Sequence, residues 1–373
     1  MFTLKLSGIE TNYQNTRIVQ LIDSLEPGGA ERMAVNYANG LSNKIAFSGL
    51  IATRKEGVLK EQIEKVVQYS FLNKKNNYDV RAFFKLRTFC IKHKVQFIHA
   101  HSSSFFWAVL VKLTYPKVKV VWHDHYGNSE FLNERSSGVL SIFSYFFSNI
   151  FAVNEQLTKW SVNKLNCDKV SYLPNFVIEE DILSNASTEL LGKEDKRIVL
   201  LANLRPQKNH FFLLKIAENI VQKYPDWTFH LIGKDFQDEY SSQLKQKINE
   251  LNLHTNLFLY GTKEDISNIL KQSTIGILTS KSEGLPVALL EYGIHGLPVI
   301  STTVGEIPKI IKNNDNGILV EVDDISKFVS SLSTLIEDNN LRVTLGGNLK
   351  VTIENHYTDN AVFKKYFSLI NGN

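Results

Sequence analysis

The segment that decides the fold runs from residue 274 to residue 291 and has the sequence TIGILTSKSEGLPVALLE. Its apolar start is typical of a buried parallel strand. Pro286 suits the first turn of a helix, because the N–H that proline lacks would have no partner there. The segment therefore predicts a strand, then a loop that contains Glu283, and then a helix that contains Glu291.

The alternation of strand and helix patterns extends over the whole chain. Apolar runs typical of strands lie at residues 17–22, 45–51, 96–100, 119–122, 151–153, 197–201, 227–233, 257–260 and 298–301. Helical spacing of apolar residues occurs at residues 31–41, 80–94, 105–114, 211–223, 240–252, 266–271, 325–338 and 361–370. A polar stretch, residues 178–195, separates two halves. The alternation in both halves predicts an α/β fold, with two doubly wound parallel-sheet domains that face a cleft.

Composition limits the class of protein. The chain has 373 residues, which favours two domains over one. Lys and Arg number 42 against 38 Asp and Glu, and no basic stripe with interleaved aromatic residues is present, so we expect no nucleic-acid partner. Cys90 and Cys167 lack the spacing of a metal or redox motif and indicate core thiols in a reducing compartment.

Neither the chain's start nor its most apolar window has the pattern of a targeting or membrane-spanning segment. Residues 1–17 lack the profile of a secretory signal, so we expect a cytoplasmic protein. The window at residues 139–153 is short for a membrane span, and we interpret it as a helix that leads into a strand. Its aromatic residues either pack in the core or form a face that contacts a membrane or a lipid-linked substrate. That face would consist of Phe143, Tyr145, Phe146 and Phe147.

A glycine turn follows the first predicted strand and opens the first helix. Gly28 and Gly29 would let the backbone approach a ligand closely, and a helix N-terminus can hold an anion. The pattern is neither a dinucleotide fingerprint nor a Walker loop. A tight turn without a ligand is the alternative.

Histidines end two predicted strands of the first half. His123 and His125 follow one strand, and His99 and His101 end the strand before it. Residues at the carboxyl ends of parallel strands point toward the expected cleft, where His123 or His125 could bind a sugar hydroxyl or a phosphate oxygen. Structural roles are the alternative. A zinc site of His123, Asp124 and His125 lacks a further ligand at a useful spacing.

A basic loop follows the first strand of the second half and contains Asn203, Arg205 and Lys208. Two cations beside a helix N-terminus can clamp a diphosphate, although a solvated basic loop is also common. The helix start at Gly284, Leu285 and Pro286 favours a phosphate in the same way.

The two carboxylates that flank this helix start can bind hydroxyls. Glu291 can accept hydrogen bonds from a ribose, and Glu283 from a sugar. The segment thus predicts a sugar-nucleotide site, and residues 302–306 could form another turn that faces a phosphate.

These segments resemble family 4 of the retaining glycosyltransferases. The spacing from Glu283 to Glu291, with residues 296–300 behind it, resembles the E-x₇-E signature of that family. Residues 28–31 are similar to its N-terminal glycine turn, and Arg205 to Lys208 to its phosphate clamp. Two further segments resemble the end of its first domain and the hairpin after its donor site, namely residues 172–175 and 316–320.

The resemblance implies a GT-B architecture of two Rossmann-like domains. Residues 1–180 would bind the acceptor and residues 181–354 the nucleotide-sugar donor, and a C-terminal helix within 355–373 would pack back on the first domain. By position, Arg205 and Lys208 would neutralise the donor diphosphate, and Glu291 would hold the ribose. Glu283 would hold the transferred sugar and its phosphate, together with the amides of Gly284 and Leu285.

Two more roles and one departure follow from the resemblance. His123 matches the first-domain histidine that contacts the sugar and the leaving phosphate, and the backbone of Gly29 would close over the diphosphate. Many members place a glycine directly before the clamp arginine. Here Ala202 and Asn203 occupy those positions, and Arg205 follows two residues later.

The activity implied is transfer of a sugar, with retention at the anomeric carbon, from a UDP- or GDP-sugar to a glycan or lipid-linked acceptor in surface polysaccharide synthesis. The family is described as using front-face attack, which needs neither a protein base nor a metal, and we expect no cofactor. Asp323 and Asp324 are typical of a helix cap and not of a metal motif.

Two other functions stay open at this stage. A non-hydrolysing sugar-nucleotide 2-epimerase would share the architecture, and an inactive sugar-nucleotide binding module is a third interpretation. The glycine turn and the spacing from Glu283 to Glu291 favour transfer. The net charge of +4 fits peripheral contact with the inner face of the cell membrane.

Overall fold

Two parallel sheets organise the chain in a computed structural model that describes residues 13–76, 78–127, 129–178 and 187–371. The first sheet contains β1 (Arg17–Ser24), β2 (Phe47–Lys55), β3 (Gln68–Phe71), β4 (Phe97–His101), β5 (Lys119–Asp124), β6 (Phe147–Ala152) and β7 (Val170–Tyr172). The second contains β8 (Arg197–Leu201), β9 (Thr228–Ile232), β10 (Leu257–Gly261), β11 (Ile275–Leu278), β12 (Val299–Thr302) and β13 (Ile318–Val320).

Both sheets have the strand order of a doubly wound fold. The first has the order β3-β2-β1-β4-β5-β6-β7, and the second has the order β10-β9-β8-β11-β12-β13. The strand pairs are parallel. The order reverses between β1 and β4 and between β8 and β11, and ligands bind at such switch points. The predicted fold class is confirmed.

Helices cover both faces of each sheet. They are α1 (Gly29–Ser42), α2 (Val80–Lys92), α3 (Phe105–Thr114), α4 (Gly138–Ser144), α5 (Glu155–Lys164), α6 (His210–Lys223), α7 (Glu239–Glu250), α8 (Ile266–Lys271), α9 (Val287–Ile294), α10 (Ile307–Ile310), α11 (Ile325–Glu337), α12 (Asn339–His356) and α13 (Asp359–Asn371). In the described ranges no helix combines the length and the apolar character needed to cross a bilayer.

The final helix lies on the first sheet and not on the second. Phe363, Tyr366 and Ile370 of α13 are buried in one cluster with Ile18 and Phe151 of the first sheet. The side-chain amide of Asn149 also donates to the backbone carbonyl of Leu369 at 3.0 Å. The chain thus returns to its first half after completing the second. Residues 179–186 of the predicted linker lie outside the described residues.

Residues 274–291 contain β11, a loop and the start of α9. The four residues of β11 are all buried, as expected for a strand with neighbours on both sides. Pro286 is not in the first turn of α9 but is its N-cap residue, with the extended angles φ −69° and ψ 121°. Asp324 caps α11, because its carboxylate accepts from the backbone N–H of Lys327 at 2.9 Å.

Several elements were not predicted from the sequence, among them β3, α5 and α12. The sequence of α12 contains Gly346 and Gly347, which weaken a helical pattern. A Cβ on Gly346 would lie 2.0 Å from the carbonyl oxygen of Gly296, so glycine is needed there for α12 to pack against the end of α9. Tertiary packing thus selects a residue that local propensity disfavours.

The predicted helix and strand in the apolar window are α4 and β6, but the proposed aromatic face is only partly exposed. Phe147 is buried, and Phe143 packs against Phe105 and Phe106. Tyr145 is 71% exposed, and Phe146 is also at the surface. The core interpretation therefore holds for two of the four aromatic residues.

Candidate active site in the cleft between the sheets

A cleft lies between the two sheets and receives residues from both. The first half provides residues 27–30, Arg32 and His125, and the second half provides the ends of β8 and β11 and the start of α9. The predicted site residues that line the cleft are Gly28, Gly29, Asn203, Lys208, Glu283, Gly284, Leu285, Pro286 and Glu291. The other two, His123 and Arg205, do not line it.

Lys208 and Glu283 form an ion pair in the cleft. The Nζ atom of Lys208 lies 2.6 Å from Oε1 of Glu283, and the hydroxyl of Ser280 donates to the same oxygen at 2.6 Å. The Glu283 side chain is 7% exposed and that of Lys208 is 24% exposed. The pair lies just before the start of α9, so a cation, a carboxylate and free helix N–H groups meet at one point.

The backbone holds the loops of these two residues together. Lys281 donates its N–H to the carbonyl of Gln207 at 2.8 Å, and the hydroxyl of Thr279 donates to the carbonyl of Lys208 at 2.9 Å. These two hydrogen bonds hold the loop that carries Lys208 against the segment that carries Glu283.

A second ion pair joins the two halves across the cleft. Nη1 of Arg32 in α1 lies 3.2 Å from Oε1 of Glu291 in α9, and both side chains are largely buried. The sequence pattern did not single out Arg32. The sequence did contain a signal: a cation in the first four residues of a helix is unfavourable beside the helix dipole, so its presence suggests an anionic partner nearby.

The loop of Glu283 rests on the turn at residues 302–306. Gly305 has φ +56°, and a Cβ there would lie 2.2 Å from the carbonyl oxygen of Glu283. The N–H of Glu306 donates to the carbonyl of Gly284 at 3.0 Å. The predicted phosphate-facing turn therefore lies beneath the loop and supports it. Residues 302–306 do not contribute to the wall of the cleft.

The two glycines of the glycine turn, Gly28 and Gly29, have different surroundings. Gly28 is the N-cap of α1, and the Glu31 carboxylate folds back so closely that a Cβ on Gly28 would lie 2.2 Å from it. Burial raises the pKa of Glu31, an effect that Arg205 opposes. A Cβ on Gly29 would meet no atom within 4 Å. The backbone at Gly29 is therefore open on the side of the cleft.

Arg205 does not line the cleft, and its role in a phosphate clamp stays a prediction. It has an extended backbone just before the turn at residues 206–208, and its guanidinium lies 4.6 Å above the ring of Phe236. A cation–π contact with that ring holds the guanidinium there. Of the two predicted clamp cations, Lys208 lines the cleft.

Asn203 connects the basic loop to the glycine turn. Its side-chain amide donates to the carbonyl of Pro27 at 2.9 Å and accepts from the N–H of Lys234 at 2.8 Å. Lys234 also forms an ion pair with Glu26 at 2.7 Å. These contacts hold the two halves close together beside the cleft.

The histidines form a stacked buried cluster at the ends of β4 and β5. His123 is 0% exposed, and its Nδ1 lies 3.2 Å from Nε2 of His99. His125 lies nearer the cleft and lines it, and its Nε2 lies 3.0 Å from Nδ1 of His101. His125 therefore lines the cleft and His123 does not, so a contact of His123 with the substrate stays a prediction.

Burial and neighbouring imidazoles keep the cluster uncharged. Burial lowers the pKa of His99, His101 and His123 well below the usual value, and it lowers that of His125 to about 3. The rings are therefore neutral at physiological pH.

The alternative zinc set of His123, Asp124 and His125 does not assemble in the described residues. Asp124 points to the other face of β5, as alternation along a strand requires, and binds Arg135 at 2.6 Å. Ligand atoms of His99, His101 and His123 lie within 4.8 Å of one another, an arrangement in which a metal ion could be held. Nε2 of His99, Nδ1 of His123 and both ring nitrogens of His101 are instead engaged in hydrogen bonds with other members of the cluster or with Gln20.

Two sequence families match successive parts of the chain. The family described as Glycosyltransferase Family 4 matches residues 27–181, and Glycosyl transferases group 1 matches residues 184–351. The two matches meet between β7 and β8, where the first sheet ends and the second begins.

Named relatives agree with these matches. A UDP-Gal:alpha-D-GlcNAc-diphosphoundecaprenol alpha-1,3-galactosyltransferase of Escherichia coli is 27% identical over 351 residues, which are 87% of this chain and 88% of the relative. A poly(ribitol-phosphate) alpha-N-acetylglucosaminyltransferase of Staphylococcus aureus is 24% identical over 211 residues, which are 56% of this chain and 41% of the relative.

Solved structures share the fold. Anabaena Alr3699/HepE in complex with UDP and glucose has a TM-score of 0.79 at 17% identity, over 96% of this chain and 100% of that chain. TarM has a TM-score of 0.75 at 14% identity, over 95% of this chain and 99% of that chain. Together with the two facing parallel sheets and the family matches, these findings show that the chain belongs to glycosyltransferase family 4 and is a hexosyltransferase-type enzyme with the GT-B fold.

Proposed function

We propose that the enzyme transfers a hexosyl group from a UDP- or GDP-sugar to a glycan or lipid-linked acceptor, with retention of the anomeric configuration. The observation that carries this proposal is the Lys208–Glu283 pair at the start of α9, opposite Gly29 across the cleft. The name of the Escherichia coli relative, which includes UDP-Gal and a diphosphoundecaprenol acceptor, supports a role in lipid-linked glycan or polysaccharide synthesis.

Charged side chains and backbone groups together hold the donor. Lys208 and the N–H groups at the start of α9 receive the diphosphate, whose negative charge grows as the sugar leaves. Gly29 allows the backbone of the glycine turn to approach the same phosphates. Glu291 accepts hydrogen bonds from the ribose while it keeps its contact with Arg32. Glu283 accepts hydrogen bonds from the transferred sugar while it keeps its contact with Lys208.

The transfer step needs no residue acting as a base. The bond from the anomeric carbon to the diphosphate oxygen breaks, and the acceptor oxygen bonds to the same face of the sugar. The proton of the acceptor hydroxyl passes to the departing phosphate oxygen. Lys208 and the helix N–H groups stabilise that oxygen as its charge develops, so we propose that the reaction is independent of metal ions and other cofactors.

A surface on the first half suits a lipid-linked acceptor at the inner face of the membrane. Val139, Ile142 and Tyr145 of the α4 region are 60%, 65% and 71% exposed. Apolar side chains on a short helix can enter the interface of a bilayer, and the mild positive net charge favours anionic lipids. Ile142→Ser combined with Tyr145→Ser should weaken flotation with anionic vesicles, whereas Val343→Ser, at an exposed site on α12, should not.

The other two interpretations are less well supported. The relatives named above are transferases, which does not favour an epimerase. Lys208 and Glu283 stand paired in the cleft, which does not favour a module that has lost its activity.

A donor screen with a stereochemical readout tests the proposal. The protein is mixed with UDP-, GDP- and ADP-sugars, thermal stabilisation identifies the donor, and proton NMR follows the anomeric signal of the product. We expect one class of donor to stabilise the protein and the product to keep the donor's anomeric configuration. An inverted product would contradict retention, and the absence of any response would contradict the proposed donor site.

A further inference from the structure

A hydrogen-bonded row of three side chains connects the centre of the first sheet to the cleft. The Oε1 atom of Gln20 lies 2.9 Å from Nε2 of His101, and Nδ1 of His101 lies 3.0 Å from Nε2 of His125. Gln20 and His101 are fully buried, whereas His125 lines the cleft. The row therefore leads from a buried amide to a ring on the wall of the candidate active site.

The row comes from three adjacent strands. Gln20 is in β1, His101 is the last residue of β4, and His125 directly follows β5. The order β1-β4-β5 in the sheet places them side by side, and the rings of His101 and His125 are stacked with centroids 5.2 Å apart. Gln20 and His101 thus form part of the support for His125, although neither lines the cleft itself.

The direction of the hydrogen bonds determines where each proton lies. An amide oxygen only accepts, so His101 carries its proton on Nε2 and leaves Nδ1 bare. That bare nitrogen can only accept, so His125 donates from Nε2 and its own Nδ1 is bare as well. Nδ1 of His125 has no hydrogen-bond partner among the described residues and is covered from bulk solvent.

An acceptor without a partner is costly at a buried position, and a ligand can remove that cost. We propose that Gln20 and His101 are positioning residues that fix His125 in its Nε2–H tautomer, so that its Nδ1 accepts a hydrogen bond from a hydroxyl of the substrate. This inference rests on the proposed function, because that function supplies the hydroxyl. Neutral rings suit the role, since an imidazolium would have no acceptor to offer.

The tautomers can be measured directly. Protein labelled with ¹⁵N in the histidine rings is examined by long-range proton–nitrogen correlation NMR, and the signals are assigned by their loss in His101→Gln and His125→Gln. We expect both rings to carry the proton on Nε2. A proton on Nδ1 of His125 would overturn the proposal, because the ring would then donate to a phosphate. One bound metal ion per chain in elemental analysis would also overturn it.

Gln20→Met tests whether the Gln20 amide sets the direction of the hydrogen bonds along the row. Methionine has a similar volume but no strong acceptor, so His101 and His125 should each become a mixture of tautomers. We expect kcat/KM to fall about fivefold, the factor that corresponds to one neutral hydrogen bond. Asn39→Leu is the matched control, because it removes another buried amide of the first half that binds Gln62 and Glu64.

The outcomes separate this inference from the proposed function. Gln20→Met should shift the tautomers, while Asn39→Leu should leave both tautomers and kcat/KM unchanged. Wild-type tautomers in Gln20→Met would overturn the inference even if transfer is observed. Absence of transfer by the wild-type enzyme would overturn the proposed function, and the NMR result would still report on the row.

Discussion

Lys208 and Glu283 bind each other at 2.6 Å, although the sequence predicted that they would hold different parts of a donor. The two residues can bind each other and the donor at the same time, because an ammonium group has three N–H donors and a carboxylate has two oxygens. The pair places the cation where the leaving phosphate is expected and prevents it from moving into solvent. Its energetic contribution should therefore be larger in the transition state than in binding.

Removal of the cation should slow transfer more than it weakens donor binding. For Lys208→Met we expect kcat to fall roughly a hundredfold, as when one group that stabilises developing charge is removed. Steady-state kinetics with the identified donor measure this. Lys281→Met is the control, since Lys281 lies in the same segment but is half exposed and contacts Asp323 at 3.6 Å. Equal losses in the two variants would contradict the assigned role.

The two members of the pair should act as a unit. Glu283→Gln keeps the shape of the side chain but removes the charge that orients Lys208. In a double-mutant cycle, the activation free energy of the double variant Lys208→Met/Glu283→Gln should rise much less than the sum of the rises in the two single variants. Additive losses would show that the pair seen in the structure does not contribute to the reaction.

Gly29 offers a test that separates folding from ligand binding. Gly29→Ala should fold with wild-type stability, because an added Cβ meets no protein atom within 4 Å. If the backbone there closes over a diphosphate, the methyl group should still weaken donor binding about tenfold or more, by the loss of roughly 1.4 kcal/mol. Calorimetric titration measures the affinity. Gly347→Ala, which also meets no atom within 4 Å, should leave the donor affinity unchanged and raise the stability by up to ~1 kcal/mol, because it lies inside a helix.

The ion pair between Arg32 and Glu291 should affect donor affinity. Glu291→Gln removes a charge that Arg32 shares with the expected ribose, and we expect the KM for the donor to rise about tenfold while kcat changes less. Arg32→Met should also raise KM, because it leaves Glu291 without its cation. A change in kcat alone, with KM unaltered, would contradict a role in ribose binding.

The histidine cluster makes stability depend on pH. Burial lowers the pKa of His99, His101 and His123, whereas in the unfolded chain each returns to about 6.5. The unfolded state thus binds more protons below about pH 6.5, and the free energy of unfolding should fall there by up to ~1.4 kcal/mol per pH unit for each histidine. Urea unfolding between about pH 8 and pH 5 measures the slope.

A variant identifies the source of this pH dependence. His101→Gln should give a shallower slope, because one buried imidazole is absent. His254→Gln changes an exposed histidine and should keep the wild-type slope. A slope that is the same in all three proteins would assign the effect to other groups.

The sequence predicted the sheets well because fully buried strands appear as apolar runs. It also predicted the segment around Glu283, where a strand, a proline and two acids follow in a short stretch. It did not predict α12, since Gly346 is selected by contact with Gly296 and not by helix propensity. Residues that meet only in the folded chain, such as Arg32 and Glu291, also leave no local pattern.

The histidines show the limit of spacing arguments within one strand. Alternation predicts that His123 and His125 share a face, but it does not predict which ring is nearer the cleft. That depends on His99 and His101 of β4, whose rings pack against them from the neighbouring strand. Similarly, Arg205 was assigned to the clamp on charge and spacing, whereas the ring of Phe236 decides where its guanidinium lies.

The central claim is that the enzyme moves a sugar from a nucleotide to an acceptor in this cleft. Its most direct test is mass spectrometry of a polyprenyl-diphosphate-linked sugar acceptor after incubation with the donor found in the screen. The account predicts that the acceptor gains one hexosyl residue, with release of the nucleoside diphosphate, and that Lys208→Met abolishes most of the gain. An unchanged acceptor together with an epimerised donor would contradict it.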